Sequence, residues 1–313
     1  MTAMMSWGGL GSLHPFPAFH PERDVTDLDA AIEKKDVSTL VRILSNRSNA
    51  QRQSLAQTYR SLTEQDLRAR LKKVLDGGLE TLMLGLMMTP ELFEAQRLKQ
   101  AMEGLGTDEE TILEIMCIRS PERLSDIAAE YSKEYQRDLE KDLLSETSGD
   151  FSKLLVALLK KKHVPGHVDQ DVQVICKELN NKKADVTQWL QILTMRDPDH
   201  LRNVLIHLEA ERGQPFTADI EKHFGGILSR DVKLGLQVLV RSIEDPYLYL
   251  AQRIQTRKGS VVQGIIVSHS EEDLLAVRAA YKKETGRSLY TTIQDKFKGD
   301  IQQILLTLCC SED

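Results

Sequence analysis

Cysteine, proline, glycine and aromatic residues are all scarce in this chain. The four cysteines, Cys117, Cys176, Cys309 and Cys310, show no C-x-x-C spacing and no dense framework. That excludes a disulfide-stapled scaffold and leads us to expect free thiols in a reducing, cytoplasmic setting. Only 18 glycines and 9 prolines interrupt 313 residues, which suits a helical protein. No apolar run is long enough to span a bilayer: Leu79–Met88 contains Glu80 and stops before Pro90. Met1–Leu13 lacks the basic start and apolar core of a signal peptide. Excess positive charge is missing too. A net charge of −6 argues against a nucleic-acid binder, and contact with an acidic membrane would need a cation in between. What is present, 41% hydrophobic and 28% charged residues, describes a folded, soluble protein of two domains or one repeat array.

One pattern occurs four times. I-L-S-N-R-S, I-M-C-I-R-S, I-L-T-M-R-D and I-I-V-S-H-S place anchors at Arg47, Arg119, Arg196 and His269, at intervals of 72, 77 and 73 residues. Leu67, Leu139, Phe216 and Leu289 keep the same intervals, and so do Gly77, Gly149, Gly226 and Gly299. Such a unit is long enough for several helices and too long for most solenoid repeats. In repeat two, Ile112, Ile115 and Met116 share one face, and Pro121 starts a second helix with Leu124, Ile127, Ala128 and Tyr131 at helical spacing. Asp138–Leu144 reads as a short helix, and Phe151, Leu154, Leu155 and Leu158 form a last stripe after Gly149. About five helices per repeat and no strand alternation predict an all-α fold of about twenty helices.

The first 18 residues read as a flexible tail, and Lys160–Gly166 as a solvated linker splitting the chain into halves of two repeats each. The boundaries that follow are 1–18 for the tail, 19–88, 89–160, 167–243 and 246–313 for the repeats, and 161–166 for the linker.

The stretch richest in chemistry is M-E-G-L-G-T-D-E-E at Met102–Glu110, with S-E-T-S-G at Ser145–Gly149 forty residues on. Two glycines around one residue let the backbone turn tightly with carbonyl oxygens outward. Thr107 is expected to open a helix, with Thr107-x-x-Glu110 as a capping box. Outward carbonyls with a distant carboxylate are what a hard cation such as calcium takes. A capped helix after a glycine turn accounts for the same residues without any ion.

R-S-N-A-Q-R-Q at Arg47–Gln53, Met102–Glu110, S-E-T-S-G-D-F at Ser145–Phe151 and R-S-L-Y at Arg287–Tyr290 resemble the annexin family over residues 19 to 313. The resemblance implies a curved disc of four five-helix repeats, with calcium sites on the convex face and the tail on the concave one. It implies reversible, calcium-dependent binding to acidic phospholipids, no enzymatic activity, a monomer in solution recruited peripherally to plasma or vesicle membranes, and room for a protein partner at the tail. Carried over residue by residue, the main calcium site falls on Met102, Gly104, Gly106 and Glu146. Weaker sites fall on Lys72, Leu75 and Glu80, and on Thr107 and Glu109, although a glutamate in a first helical turn is common for capping alone.

The other repeats depart from this pattern. Their loops read I-E-K-K-D-V-S, N-N-K-K-A-D-V and T-R-K-G-S-V-V, and the acid position holds Val74, His223 and Lys296. Repeat three also looks extended by about one helical turn after Gly226. One complete site is therefore expected, with a rival reading in which the annexin scaffold serves as an interaction protein largely independent of calcium. Lys34, Lys35, Lys182, Lys183, Arg257 and Lys258 stand in the degenerate loops. His163-x-x-x-His167 with Asp169 and Asp171 has metal-ligand residue types, but Pro165-Gly166 prevents a helical pairing, and solvated loop residues are the plainer account. Cys117 and Trp189 are expected in the core, and no Ser-His-Asp set has a motif context.

Overall fold

A computed structural model describes residues 9–104, 106–181, 185–226, 229–256 and 258–310. Among them are twenty α-helices and no strand. Repeat one holds α1 (Pro21–Lys34), α2 (Val37–Ser45), α3 (Asn49–Thr63), α4 (Leu67–Val74) and α5 (Gly77–Leu86). Repeat two holds α6 (Pro90–Ala101), α7 (Glu109–Ile118), α8 (Pro121–Tyr135), α9 (Leu139–Glu146) and α10 (Gly149–Leu159). Repeat three holds α11 (Val168–Leu179), α12 (Val186–Met195), α13 (Pro198–Arg212), α14 (Phe216–His223) and α15 (Arg230–Glu244). Repeat four holds α16 (Pro246–Gln255), α17 (Gly259–His269), α18 (Leu274–Thr285), α19 (Leu289–Lys296) and α20 (Gly299–Cys309).

The repeat intervals are those of the helix starts. Asp36, Asp108 and Asp185 cap the second helix of their repeats, each side chain accepting a backbone N–H of the first turn. Ser48, Ser120 and Asp197 do the same for the third helix. Gly77, Gly149 and Gly299 open the fifth helix with φ of +54°, +62° and +61°, a conformation that side chains resist. Gly226 does not share it, and α15 begins only at Arg230, where the sequence shows its extra turn.

The anchor arginines tie second helix to first. Arg47 makes two hydrogen bonds to Asp24, Arg119 one to Glu94, and Arg196 two to Asp171, all across 23 or 25 residues. In repeat four His269 pairs instead with Asp273, one turn further on.

Three expectations of chain organisation are corrected. The helices cluster into two compact units, one of residues up to Phe93 with those from Leu250 onward, the other of Glu94–Tyr249. The first unit thus combines repeats one and four, where α2 and α5 pack on α20, and the second combines repeats two and three, where α7 and α10 pack on α15. The segment 161–166 is not a solvated divider. Lys162 and Val164 donate backbone N–H groups to Thr194 and Met195 at the end of α12, and Lys161 Nζ donates to the Met116 and Cys117 carbonyls of α7. Nor are residues 10–16 a loose tail. Leu13 N–H donates to Ser270 O, the Ser12 hydroxyl to the Ser270 and Leu308 carbonyls, and Gln51 exchanges hydrogen bonds with the Phe16 backbone. The side chains of Ser12 and Leu13 are buried. All these partners are distant in sequence, so local composition could not reveal them. Trp7 lies outside the described residues.

Burial pushes the Lys161 amine down to about 8 from an ordinary value of 10.5. The unfolded chain therefore holds this proton where the folded one has lost it, and stability gains as pH rises from about 8 towards 10.5. We expect Lys161→Met to remove that gain, so that the wild-type-minus-variant stability difference changes by about 3 kcal/mol across the window. Denaturant midpoints of both proteins from pH 7 to 10.5 check this, and parallel profiles would contradict it.

Candidate functional site

The loop between α6 and α7 is built around backbone. Asp108 N–H donates to Ala101 O at 2.8 Å and closes residues 102–107 into a lobe. Inside it Gly104 and Gly106 have φ of +102° and +96°. An added Cβ at either would meet nothing within 4 Å, so the torsion and not crowding calls for glycine. Among the described residues no backbone N–H donates to the carbonyls of Met102, Gly104 or Gly106. The Met102 side chain is buried and anchors the entry to the lobe. Leu105 lies outside the described residues.

The helix after the lobe is capped by Asp108, not by Thr107 as expected. Asp108 accepts from Thr111 N–H and from the Thr111 hydroxyl, at 3.1 and 2.9 Å. Aspartate is the stronger cap, and its own N–H closes the lobe, so the helix starts one residue later than a threonine cap would place it. The Thr107–Glu110 capping box is therefore not formed, and Glu109 becomes the first residue of α7.

Glu146 is the last residue of α9, exposed, with no hydrogen bond or ion pair among the described residues. The structure brings the stem of the lobe to this helix. Lys99 Nζ pairs with Glu103 and lies 6.0 Å from the Tyr135 ring centroid, and the Glu103 charge adds to the burial that raises Tyr135. Hydrogen bonds from Arg137 hold Asp142 below the usual carboxylate range, and the Lys99 charge contributes. Glu146 stands one helical turn beyond Asp142. Its charge also helps, after that of Asp142, to keep Arg137 above its ordinary value. Tyr131 completes this support by donating its hydroxyl to Asp142 at 2.6 Å. The sequence places Tyr131 only on the apolar face of its helix and does not single out Asp142 or Arg137, whose one signal is the R-x-x-x-x-D spacing.

The four acid positions are equivalent. Val74, Glu146, His223 and Lys296 each end an eight-residue helix. His223 is half-buried, stacked on the buried Trp189 ring at 5.3 Å, and burial lowers its pKa. Lys296 lies over Phe297. The loops before the second helices differ as well. Repeat two has residues 102–108 between helices, repeat one only 35–36 and repeat four only 256–258. Asn180 and Asn181 of repeat three are described, whereas Lys182, Lys183 and, in repeat four, Arg257 lie outside the described residues.

Elsewhere, Lys72 is exposed, Leu75 is buried at the end of α4, and Glu80 is half-buried in the first turn of α5, its N–H donating to Asp76 O. His163 and His167 are exposed, and Asp171 is taken by Arg196 and His200. Trp189 and Cys117 are in the core, where burial pushes the Cys117 thiol up to about 12. No described helix is long and apolar enough to cross a membrane.

A profile of the annexin family matches residues 23–86, 93–158 and 251–308. Repeat three, with its altered α14–α15 junction, is not among the matched segments. Human Annexin A9 is 33% identical over 98% of this chain and 92% of its own length, and the mouse protein is 34% identical over the same shares. Among solved structures, annexin III superposes with a TM-score of 0.92 at 30% identity, covering 98% of this chain and 99% of that one. Chicken annexin V gives 0.85 at 33% identity, covering 96% and 99%. A calcium-bound annexin (Sm)1, at 21% identity and a TM-score of 0.83, shares the fold.

Proposed function

The chain belongs to the annexin family, and on that premise we propose that it binds acidic phospholipid membranes reversibly through calcium, with one complete calcium site, in repeat two. The reading is supported by the carbonyls of Met102, Gly104 and Gly106, which take no backbone hydrogen bond among the described residues, and by the exposed Glu146 at the end of α9, which has no hydrogen bond or ion pair among them. Three carbonyls and a bidentate carboxylate supply five oxygens and leave about two positions for water or a lipid phosphate. Bound calcium would link an acidic protein to an acidic headgroup. Lys72, Leu75 and Glu80, and Thr107 with Glu109, are proposed only as weaker additional sites. The repeat boundaries 19–88, 89–160, 167–243 and 246–313 belong to the same proposal. We assign no catalytic role.

Co-sedimentation with vesicles rich in phosphatidylserine, in calcium and in chelator, tests the reading. Pelleting in calcium and release in chelator are expected. Equal pelleting in both would overturn it in favour of a calcium-independent scaffold.

Lys34, Lys35 and Lys258 are proposed to add direct attraction to acidic headgroups, at up to about 1 kcal/mol each near the surface. In support, Lys258 stands where the other repeats have a capping aspartate, and α17 has no side-chain cap. Residual vesicle binding in chelator should then weaken steadily as salt rises. Binding in chelator that ignores salt would contradict this contribution.

A further inference from the structure

We propose that Lys161 is a site of covalent acylation, its ε-amine held by the end of α7 in position to attack small acyl thioesters. The proposal is independent of the calcium reading.

The last carbonyls of a helix have no partner within it. In α7 two of them, Met116 O and Cys117 O, accept from Lys161 Nζ at 3.0 and 3.3 Å. Repeat one meets the same need with an arginine. There Arg52 Nε donates to Leu44 O at 2.8 Å, and Leu44 stands 72 residues before Met116. The position of Arg52 is taken by Leu124 in repeat two, and a lysine from the segment after α10 supplies the donor instead. The exchange matters chemically, because an arginine stays protonated whereas a lysine can become a nucleophile.

A protonated lysine has three donors; a neutral one has two donors and a lone pair. Two carbonyls match the neutral form. Both N–H bonds then point at the helix end, and the lone pair points away from it. No carboxylate pairs with Lys161 among the described residues, whereas its neighbour Lys160 is paired with Glu140 at 2.8 Å. Burial takes the Lys161 amine down to about 8, against the opposing influence of Cys117 and Glu122. At pH 7 about one such amine in ten is unprotonated, against about one in three thousand at the ordinary 10.5. Lys161 is half-buried, and Lys160, Lys162 and His163 around it are exposed, so a small reagent approaches from the side of the segment 160–163. The lone pair adds to the thioester carbonyl carbon, the carbon–sulfur bond breaks, and the departing thiol takes the proton that the nitrogen gives up. The product is an amide with one N–H and no charge, so the end of α7 loses a donor and a cation.

The test uses the full chain at low conversion, with the acetyl thioester of N-acetylcysteamine as the probe, from pH 7 to 9.5. Fragment mass spectra assign the acetyl groups to Lys160, Lys161 or Lys162, so the adjacent lysines serve as internal references. At pH 7 Lys161 should be acetylated about tenfold or more faster than either neighbour, since lower basicity and crowding take back only part of the gain in free amine. Its lead should shrink as pH rises past 8. Lys161→Arg should remove its signal and leave Lys160 and Lys162 at their wild-type rates. A Lys161 that reacts no faster than its neighbours at pH 7 would overturn the proposal. The same lead in the guanidinium-unfolded chain would overturn it too, because the lysine run itself and not the end of α7 would then be responsible.

Discussion

Glu146→Gln should nearly abolish calcium-dependent vesicle binding and leave the fold unchanged. The side chain is exposed and makes no hydrogen bond or ion pair among the described residues, so its loss should alter stability by less than about 0.5 kcal/mol. Its position at the C-terminal end of α9 is unfavourable for a negative charge, so neutralisation should not weaken the helix. For the ion the change is severe. Glutamine keeps the shape but removes the only acidic ligand and one of its two oxygens. Calcium affinity follows ligand charge and number, and we expect the calcium needed for half-maximal binding to rise by about tenfold or more. A relative with four complete sites would be cushioned by its other attachments. Here Val74, His223 and Lys296 offer no such reserve. Calcium titrations of vesicle binding for both proteins, with far-ultraviolet spectra as the control for folding, check the result. Superimposable titrations would mean that the lobe is only the turn before a well-capped helix.

Arg119→Leu should produce the largest loss of stability. Its guanidinium donates to Glu94 at 2.7 Å, and the side chains of both are nearly inaccessible to water. Beside it Arg97 and Glu114 form a second buried pair at 2.8 Å. Arg119→Leu takes a hydrogen bond and a charge partner away from a carboxylate that water hardly reaches, at a cost of about 3–5 kcal/mol. Replacing Arg119 and Glu94 together by leucine and methionine should recover much of that, because the desolvation of both charges is then avoided. The equivalent Arg47→Leu should act likewise on the other compact unit by stranding Asp24. Denaturant midpoints for the single and double variants decide the matter. A loss below about 1 kcal/mol for Arg119→Leu would show that Glu94 is satisfied without it.

These arginines also show where sequence reading succeeds and where it stops. Arg47, Arg119 and Arg196 are legible as a period, and so are the helices and the common register of Val74, Glu146, His223 and Lys296 at helix ends. Each follows from residue type at a fixed interval. Their physical role was not legible, since every partner carboxylate lies 23 or 25 residues away on another helix. The same limit explains the tail. A glycine-rich opening reads as loose, yet an added Cβ on Gly11 would lie 2.6 Å from the Glu271 backbone, far along the chain. It explains the segment 161–166, whose lysine run conceals an amine buried against α7. The cap of α7 failed differently. Thr107 and Asp108 are adjacent and both can cap, and the closure of the lobe through Asp108 N–H separates them only in three dimensions. The pairing of repeat one with repeat four has no local signal at all.

The central claim is that repeat two holds the one complete calcium site. A crystal structure of the protein grown in saturating calcium tests it most directly. The account predicts an ion in the 102–107 lobe, with the Met102, Gly104 and Gly106 carbonyl oxygens and both Glu146 carboxylate oxygens at about 2.3–2.6 Å. No ion should occupy the loops that precede α2, α12 and α17, although a weakly held ion at Lys72, Leu75 and Glu80 is compatible with it. Calcium in those three loops, or a lobe in repeat two that stays empty while calcium occupies another part of the chain, would contradict it.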